Sequence, residues 1–214
     1  PIKNARVLKT AKIGRAVMDA DVFISLTHFK GHEQTGFGGA IKNIGMGCGS
    51  RAGKMEQHSS GKVGVHEELC RGCRRCAKEC GSDAISYVEN KAVVDKELCK
   101  GCGRCIGACP FDALSNDQWD ANDVLDRKMA EYTQAICQAR PTFHINMAMD
   151  ISPQCDCRGA NDAPILPNLR IFVSFDPVAC DQAAVDACQK AMPIESSQLG
   201  DHLAQPDWHH HHDV

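Results

Sequence analysis

The chain has 214 residues, 43% of them hydrophobic, with 24 Lys/Arg against 27 Asp/Glu and a formal net charge of −3. That length accommodates one or two domains with a sizeable core, and so even a charge argues against bulk nucleic-acid binding. No stretch approaches the roughly 18 apolar residues of a membrane span, and no charged-then-apolar signal segment opens the chain. The charge is unevenly spread: residues 1–61 carry nine Lys/Arg against four Asp/Glu, and residues 118–214 carry six against fourteen. This pattern fits halves of one domain that attract each other, or a basic pocket for an anionic ligand.

In chain order, residues 11–20 read as a helix and residues 22–26 as an apolar strand. The chain enters these elements almost at once from Pro1, as if in the middle of a domain. A single strand cannot satisfy its own edges, so its partners are expected later in the chain or in a further N-terminal part. Residues 27–54 then form a glycine-rich segment, with seven glycines between Gly36 and Gly53. It is not a Walker loop, because Cys48 stands where the first glycine is required and Met55 where Ser/Thr is required. Nor is it a dinucleotide fingerprint, since Ile41 follows Gly36-Phe37-Gly38 where the third glycine belongs. What it offers is His28, Lys30, His32 and Lys42 just after the carboxyl end of a strand, where open α/β sheets bind ligands. Imidazoles exchange protons near neutral pH and lysines hold carboxylates or phosphates, so these four are the candidate catalytic residues.

Next come two copies of one cysteine run: Cys70-x2-Cys73-x2-Cys76-x3-Cys80 and Cys99-x2-Cys102-x2-Cys105-x3-Cys109-Pro110. Zinc needs only four ligands per site with more variable spacing, and secreted disulfide scaffolds are usually short; neither explains a duplicated run of four. Three thiolates three residues apart can wrap three corners of a cubane cluster, while the fourth closes the other cluster. The predicted ligand sets are therefore Cys70, Cys73, Cys76 and Cys109 for one [4Fe-4S] cluster, and Cys99, Cys102, Cys105 and Cys80 for the other. This stretch resembles the bacterial two-cluster ferredoxin module. Asp83-Ala84-Ile85 recurs as Asp112-Ala113-Leu114 after each fourth cysteine, although Gly81 follows Cys80 where Pro110 follows Cys109.

Beyond the runs, Leu125, Met129, Tyr132 and Ile136 fall at helical spacing, and Arg140-Pro141 ends that helix. Residues 143–151 alternate apolar and polar as a strand, and residues 169–175, like 22–26, read as a short buried strand. A last helix starts with Asp176 as N-cap and Pro177 at the first helical position, running toward Met192. Strands alternating with helices predict an α/β fold. Residues 1–61 and 118–214 are expected to form one discontinuous α/β domain, with residues 62–117 as an inserted ferredoxin-like domain. Of the remaining cysteines, Cys137, Cys180 and Cys188 lie in predicted helices and read as core. Cys155 and Cys157 sit in a polar loop, where two thiolates can share a metal edge; Cys48 or His58 would complete a candidate third metal site if the loops meet. The run His209–His212 reads as native sequence with no ligand assigned.

The Thr27–Lys54 string, His58, the inserted module, Cys155-Asp156-Cys157 and the stretch from Ser174 to Asp181 together resemble the iron–sulfur branch of the family catalogued as domain of unknown function 362. The resemblance covers almost every residue. Similar members have a further N-terminal portion and a C-terminal tail, which implies that this chain is a fragment; they are expected to be redox proteins of anaerobes. The expectation is a cytoplasmic iron–sulfur electron-transfer protein holding two [4Fe-4S] clusters. It would be an oxidoreductase acting with a redox partner protein on a small anionic metabolite, with Lys30 and Lys42 positioning the anion and His28 or His32 handling protons. The alternative is a non-catalytic carrier or scaffold, with Arg71, Arg74, Arg75 and Lys78 steering an acidic partner.

Overall fold

The computed structural model describes residues 1–32, 34–59, 62–116 and 120–203. The histidine run at 209–212 and the module's predicted last residue, Asp117, lie outside the described residues. In chain order the elements are α1 (Arg15–Met18), β1 (Phe23–His28), β2 (Lys30–His32), β3 (Gly36–Gly38), α2 (Ala40–Gly47), α3 (Arg51–His58), β4 (Val63–Val65), α4 (Arg75–Lys78), β5 (Ile85–Val88), β6 (Lys91–Val94), α5 (Arg104–Ala108), β7 (Leu114–Asn116), α6 (Asn122–Cys137), β8 (Thr142–Met147), β9 (Ile171–Ser174), α7 (Pro177–Lys190) and α8 (Gln198–Leu203). The fold is mixed α/β, with helices around several small sheets. Among the described residues no helix is long and apolar enough to cross a membrane.

The largest sheet joins segments far apart in sequence. β1 pairs in parallel with β8, Phe23 opposite Thr142 through His28 opposite Met147, and β9 adds antiparallel on the other side of β8. The first strand thus finds its partner more than a hundred residues downstream. α6 forms as its apolar spacing requires: Leu125, Met129, Tyr132 and Ile136 lie on one stripe and all four are buried. That stripe packs on α2. α7 starts on the predicted cap, the Asp176 carboxylate accepting the Val178 N–H at 2.9 Å with Pro177 at the first turn.

Two expectations are corrected. The helix read at residues 11–20 shrinks to the four residues of α1, because Ile13 bridges to Gly49 and the Gly14 N–H donates to the Cys48 carbonyl, which holds the first half extended. The strands of the large sheet are also not buried on both faces: Ile24 and Leu26 are 63% and 62% exposed, Ile171 and Val173 54% and 59%. The inward face is instead polar, made by Ser25, Thr27, His144 and Asn146, all buried. Ser25 Oγ lies 2.9 Å from His144 Nδ1, Thr142 Oγ1 lies 3.1 Å from His144 Nε2, and the Asn43 amide donates to Thr27 Oγ1. Such a layer is tolerated because most of its polar atoms find partners; the Asn146 amide donates to Asp181 at 2.9 Å, while its Oδ1 is buried without a partner.

Burial pushes the His144 imidazole below its usual range, with Asp176 partly offsetting the effect. A group whose folded value is depressed leaves the unfolded chain to take up the proton first as pH falls, so stability is lost below an ordinary imidazole pKa of about 6.5. The thermal midpoint is therefore expected to fall from pH 7 to pH 5, and more steeply than in His144→Gln. Parallel pH profiles for the two proteins would assign that dependence to other groups.

Residues 63–116 carry their own core of Val63, Cys70, Cys76, Ala92, Cys105, Ala113 and Leu114. Around it, β4 pairs with β7 and β5 with β6, both antiparallel. The sequence repeat is also a backbone repeat. Gly72 and Gly101 have φ of 65° and 63°, Arg74 and Gly103 63° and 70°, and Asp83 and Asp112 50° and 51°. These left-handed residues turn the chain at the same places in each copy, two within the cysteine run and one three residues after it.

Candidate functional site

Two cavities lie within this repeat. One is lined by Cys70, Cys73, Cys76 and Cys109, with Tyr87 and Leu114 among its other walls. The second is lined by Cys80, Cys99, Cys102 and Cys105. Each thus takes three cysteines from one run and the fourth from the other. None of the fourteen cysteines is paired in a disulfide. Backbone N–H groups aim at several sulfurs: Ala84 at Cys80 Sγ at 3.3 Å, Ala113 at Cys109 Sγ at 3.4 Å and Ala92 at Cys70 Sγ at 3.4 Å. This accounts for the recurring Asp-Ala-Ile/Leu triplet. The aspartate turns the chain left-handed, the buried alanine presents its N–H to the fourth cysteine, and the branched residue begins a strand. Lys91 donates to the Cys70 carbonyl and Lys62 to the Cys99 carbonyl, holding the first residue of each run. Four convergent thiols with N–H donors to sulfur are a donor set that fits an iron–sulfur cluster.

A second thiol-bearing site lies in the rest of the molecule. β2 leaves β1 after one residue and turns back as a hairpin with β3, so His28, Lys30 and His32 follow one another along it. The hairpin runs against the loop after β8. The Gly31 N–H donates to the Ser152 carbonyl at 2.9 Å, and a Cβ on Gly31 would stand 2.2 Å from the Pro153 carbonyl oxygen. Glycine here permits a backbone approach that no other residue allows.

This contact brings Cys155, Asp156 and Cys157 onto all four predicted catalytic residues. His28 Nδ1 lies 2.9 Å from an Asp156 oxygen, and its Nε2 lies 2.9 Å from the Met149 carbonyl. Lys30, nearly buried, donates to the His28 carbonyl at 2.7 Å and pairs with Asp156 at 3.2 Å. Lys42, from the first turn of α2, donates to Cys155 Sγ at 3.3 Å. One ring nitrogen of His32 and the sulfurs of Cys155 and Cys157 all lie within 4.8 Å of one another. What the sequence presented as two separate candidate sites is one.

The electrostatics follow from these contacts. Burial alone would push the Cys155 thiol up, but hydrogen bonds from Cys157 and the Lys42 ammonium bring it below its ordinary value. Cys157, sharing its hydrogen bond with Cys155 and partly desolvated, is pushed up. The Asp156 carboxyl, raised by burial, is brought down further by His28 and Lys30 and ends below the usual carboxylate range. Of the two, the buried Cys155 is the thiol that gives up its proton more readily.

Cys48 and His58 stand elsewhere. Cys48 caps α2 and packs on the cluster of Ala40, Ile44 and Ile136, while His58 closes α3. Lys54, which ends the glycine-rich string, donates to the carbonyls of Met46, Gly47 and Gly49 and so finishes α2. Of the cysteines expected in the core, Cys180 is buried and Cys137 and Cys188 are half-buried.

Two acidic residues went unassigned in the sequence reading. Asp156 was seen only as the spacer between two cysteines. Asp181, buried in α7, accepts the Ala40 and Ile41 N–H groups at 2.5 and 2.9 Å and the Asn146 amide at 2.9 Å. It thereby fixes the start of α2 and the position of Lys42; burial pushes its carboxyl up despite those donors. Asp181 and Lys42 also line a cleft of about 250 Å³ with Phe37, Ile41, Asp126 and Met129. The sequence signal for both is that each lies in a string that carries the family resemblance, Cys155-Asp156-Cys157 and Ser174 to Asp181.

A family model described as domain of unknown function (DUF362) matches residues 1–186. No curated protein matches the chain.

Proposed function

The chain belongs to the DUF362 family, and from that premise we propose that it is an iron–sulfur electron-transfer protein of the cytoplasm, an oxidoreductase working between two [4Fe-4S] clusters and a small anionic metabolite. The observation that carries the reading is the pair of cavities, each lined by four cysteines crossed between the two runs. Cys70, Cys73, Cys76 and Cys109 would hold one cluster, and Cys80, Cys99, Cys102 and Cys105 the other, in a ferredoxin-like module inserted at about residues 62–117. Such clusters supply one-electron transfer, at potentials set by hydrogen bonds to sulfur and by exposure.

The residues outside the module divide the remaining work. Lys30 and His28 are committed to Asp156, so in this reading they brace the Cys155–Cys157 loop. Lys42, which lines the cleft with Asp126 and Asp181 and also donates to Cys155, is the cation this reading assigns to an incoming carboxylate or phosphate. His32, beside the thiols, is the imidazole placed there for proton exchange or for ligation. A second reading, a carrier that docks on a larger redox enzyme, is favoured by one observation: Ile24, Leu26, Ile171, Val173 and Phe175 expose one apolar sheet face.

Protein purified anaerobically from iron-replete cells is expected to contain about eight iron and eight acid-labile sulfide per chain. A zinc-only preparation under those conditions overturns the cluster reading. In Lys42→Ala the iron and sulfide are expected to stay while affinity for the co-purifying small anion falls about ten- to a hundredfold, the worth of one charge-assisted contact. Mass spectrometry of the released small molecules reads the outcome. An anion retained as well as before would place its site elsewhere, and no anion in either protein would favour the carrier.

A further inference from the structure

We propose that His32, Cys155 and Cys157 form a third metal site, separate from the two cysteine-lined cavities, which binds one zinc-like divalent cation through two sulfurs and one imidazole nitrogen. The three ligand atoms lie within 4.8 Å of one another, a spread that a contraction of about 1 Å brings to tetrahedral ligand separations around metal–sulfur bonds of about 2.3 Å and metal–nitrogen bonds of about 2.0 Å. They come from two parts of the chain: His32 ends β2, and the cysteines sit on the loop after β8. That loop is held in place by independent contacts. Gly31 bonds to Ser152, and Asp156, between the two cysteines, is tied by His28 and Lys30. The site is thus assembled by bonds its ligands do not make, which is the support that fixes ligand geometry in metal sites.

The donor set decides the class of ion. Two thiolates and an imidazole suit zinc and other soft or borderline cations, and exclude magnesium and calcium, which take oxygen ligands. Three protein ligands leave a fourth vertex open, the arrangement of reactive zinc sites in contrast to closed structural ones. Cys157 is exposed and Cys155 buried, so an ion entering from solvent meets Cys157 first. His32 Nδ1 now accepts the backbone N–H groups of Gln34 and Thr35 at 3.1 and 3.3 Å. An ion taken at Nδ1 displaces those two contacts, which are far weaker than one metal–nitrogen bond in a thiolate site. The two thiols release their protons as the ion binds.

The proposal does not rest on the cluster assignment, and its test is kept separate from it. The full chain, anaerobic and with its iron in place, is titrated with Co²⁺ as a spectroscopic substitute for zinc. The expected result is one Co²⁺ per chain with a sulfur-to-cobalt charge-transfer band, displaced by one equivalent of Zn²⁺, with iron and sulfide unchanged. Cys157→Ser, at an exposed position where folding is not at stake, and His32→Gln should each weaken cobalt binding at least tenfold and alter the band, again at unchanged iron and sulfide. Equal cobalt uptake by the wild type and both variants overturns the site, as does failure of the wild type to bind cobalt with thiolate charge transfer.

Discussion

Cys109→Ala is expected to cost the protein the cluster of Cys70, Cys73 and Cys76 and to spare that of Cys99, Cys102, Cys105 and Cys80. The reason is the crossed lining: Cys109 faces the first run's cavity although it ends the second run, and its sulfur receives the Ala113 N–H there. Iron should fall from about eight to about four per chain, since a cubane cluster takes four cysteine ligands. Cys80→Ala should give the mirror result, with the Cys99, Cys102 and Cys105 site emptied. Iron and sulfide analysis with low-temperature EPR of the reduced proteins separates the two. Selective loss in Cys109→Ala of the Cys99–Cys105 cluster would refute the crossed ligation. Circular dichroism guards against a folding artefact, since the large sheet has no residue between 29 and 141.

The second large effect is expected from Gly31→Ala, a one-carbon change. The new Cβ would stand 2.2 Å from the Pro153 carbonyl oxygen and 2.8 Å from its carbon, both backbone, so neither can swing aside as a side chain could. Either β2 or the Ser152–Pro153 loop has to move, at a cost of about 1–3 kcal/mol by analogy with overpacked cores. Because that loop continues directly into Cys155, the displacement should part Cys155 from Lys42 and His32. Thermal unfolding should show the lost stability, and alkylation of the buried Cys155, followed by mass spectrometry, should quicken. A stability change under about 0.5 kcal/mol, the level of an ordinary surface substitution, with unchanged alkylation would show that the close approach is not needed.

Local chemistry was legible wherever it was carried by neighbours in the chain. The stripe of α6 and the Asp176-Pro177 start of α7 depend on residues within a turn or two, and both appear as read. Strand burial was less legible. Apolar residues alternate in β8 as a half-buried strand should, while β1 and β9 read as apolar runs, and neither pattern says which face meets the rest of the chain. Here Ser25, Thr27, His144 and Asn146 turn inward because the groups that satisfy them, such as Asn43 and Asp181, come from α2 and α7. The predicted helix at residues 11–20 failed for a similar reason, since its first half is claimed by residues near position 49.

The sequence by itself determined the duplicated thiol pattern, the α/β character and the identity of the four basic residues worth watching, because spacing along a short loop or helix is a local property. Only the tertiary structure decided that His28, Lys30, His32 and Lys42 converge on Cys155, Asp156 and Cys157, and that His32 rather than Cys48 or His58 approaches the two thiols. Those meetings depend on β1 pairing with β8 and on Gly31 letting two backbones touch, across about 120 residues of intervening chain. Periodicity and spacing describe what a segment can bury or bind. Which distant segment it meets depends on sheet register and close packing, and these exist only once the chain has closed on itself.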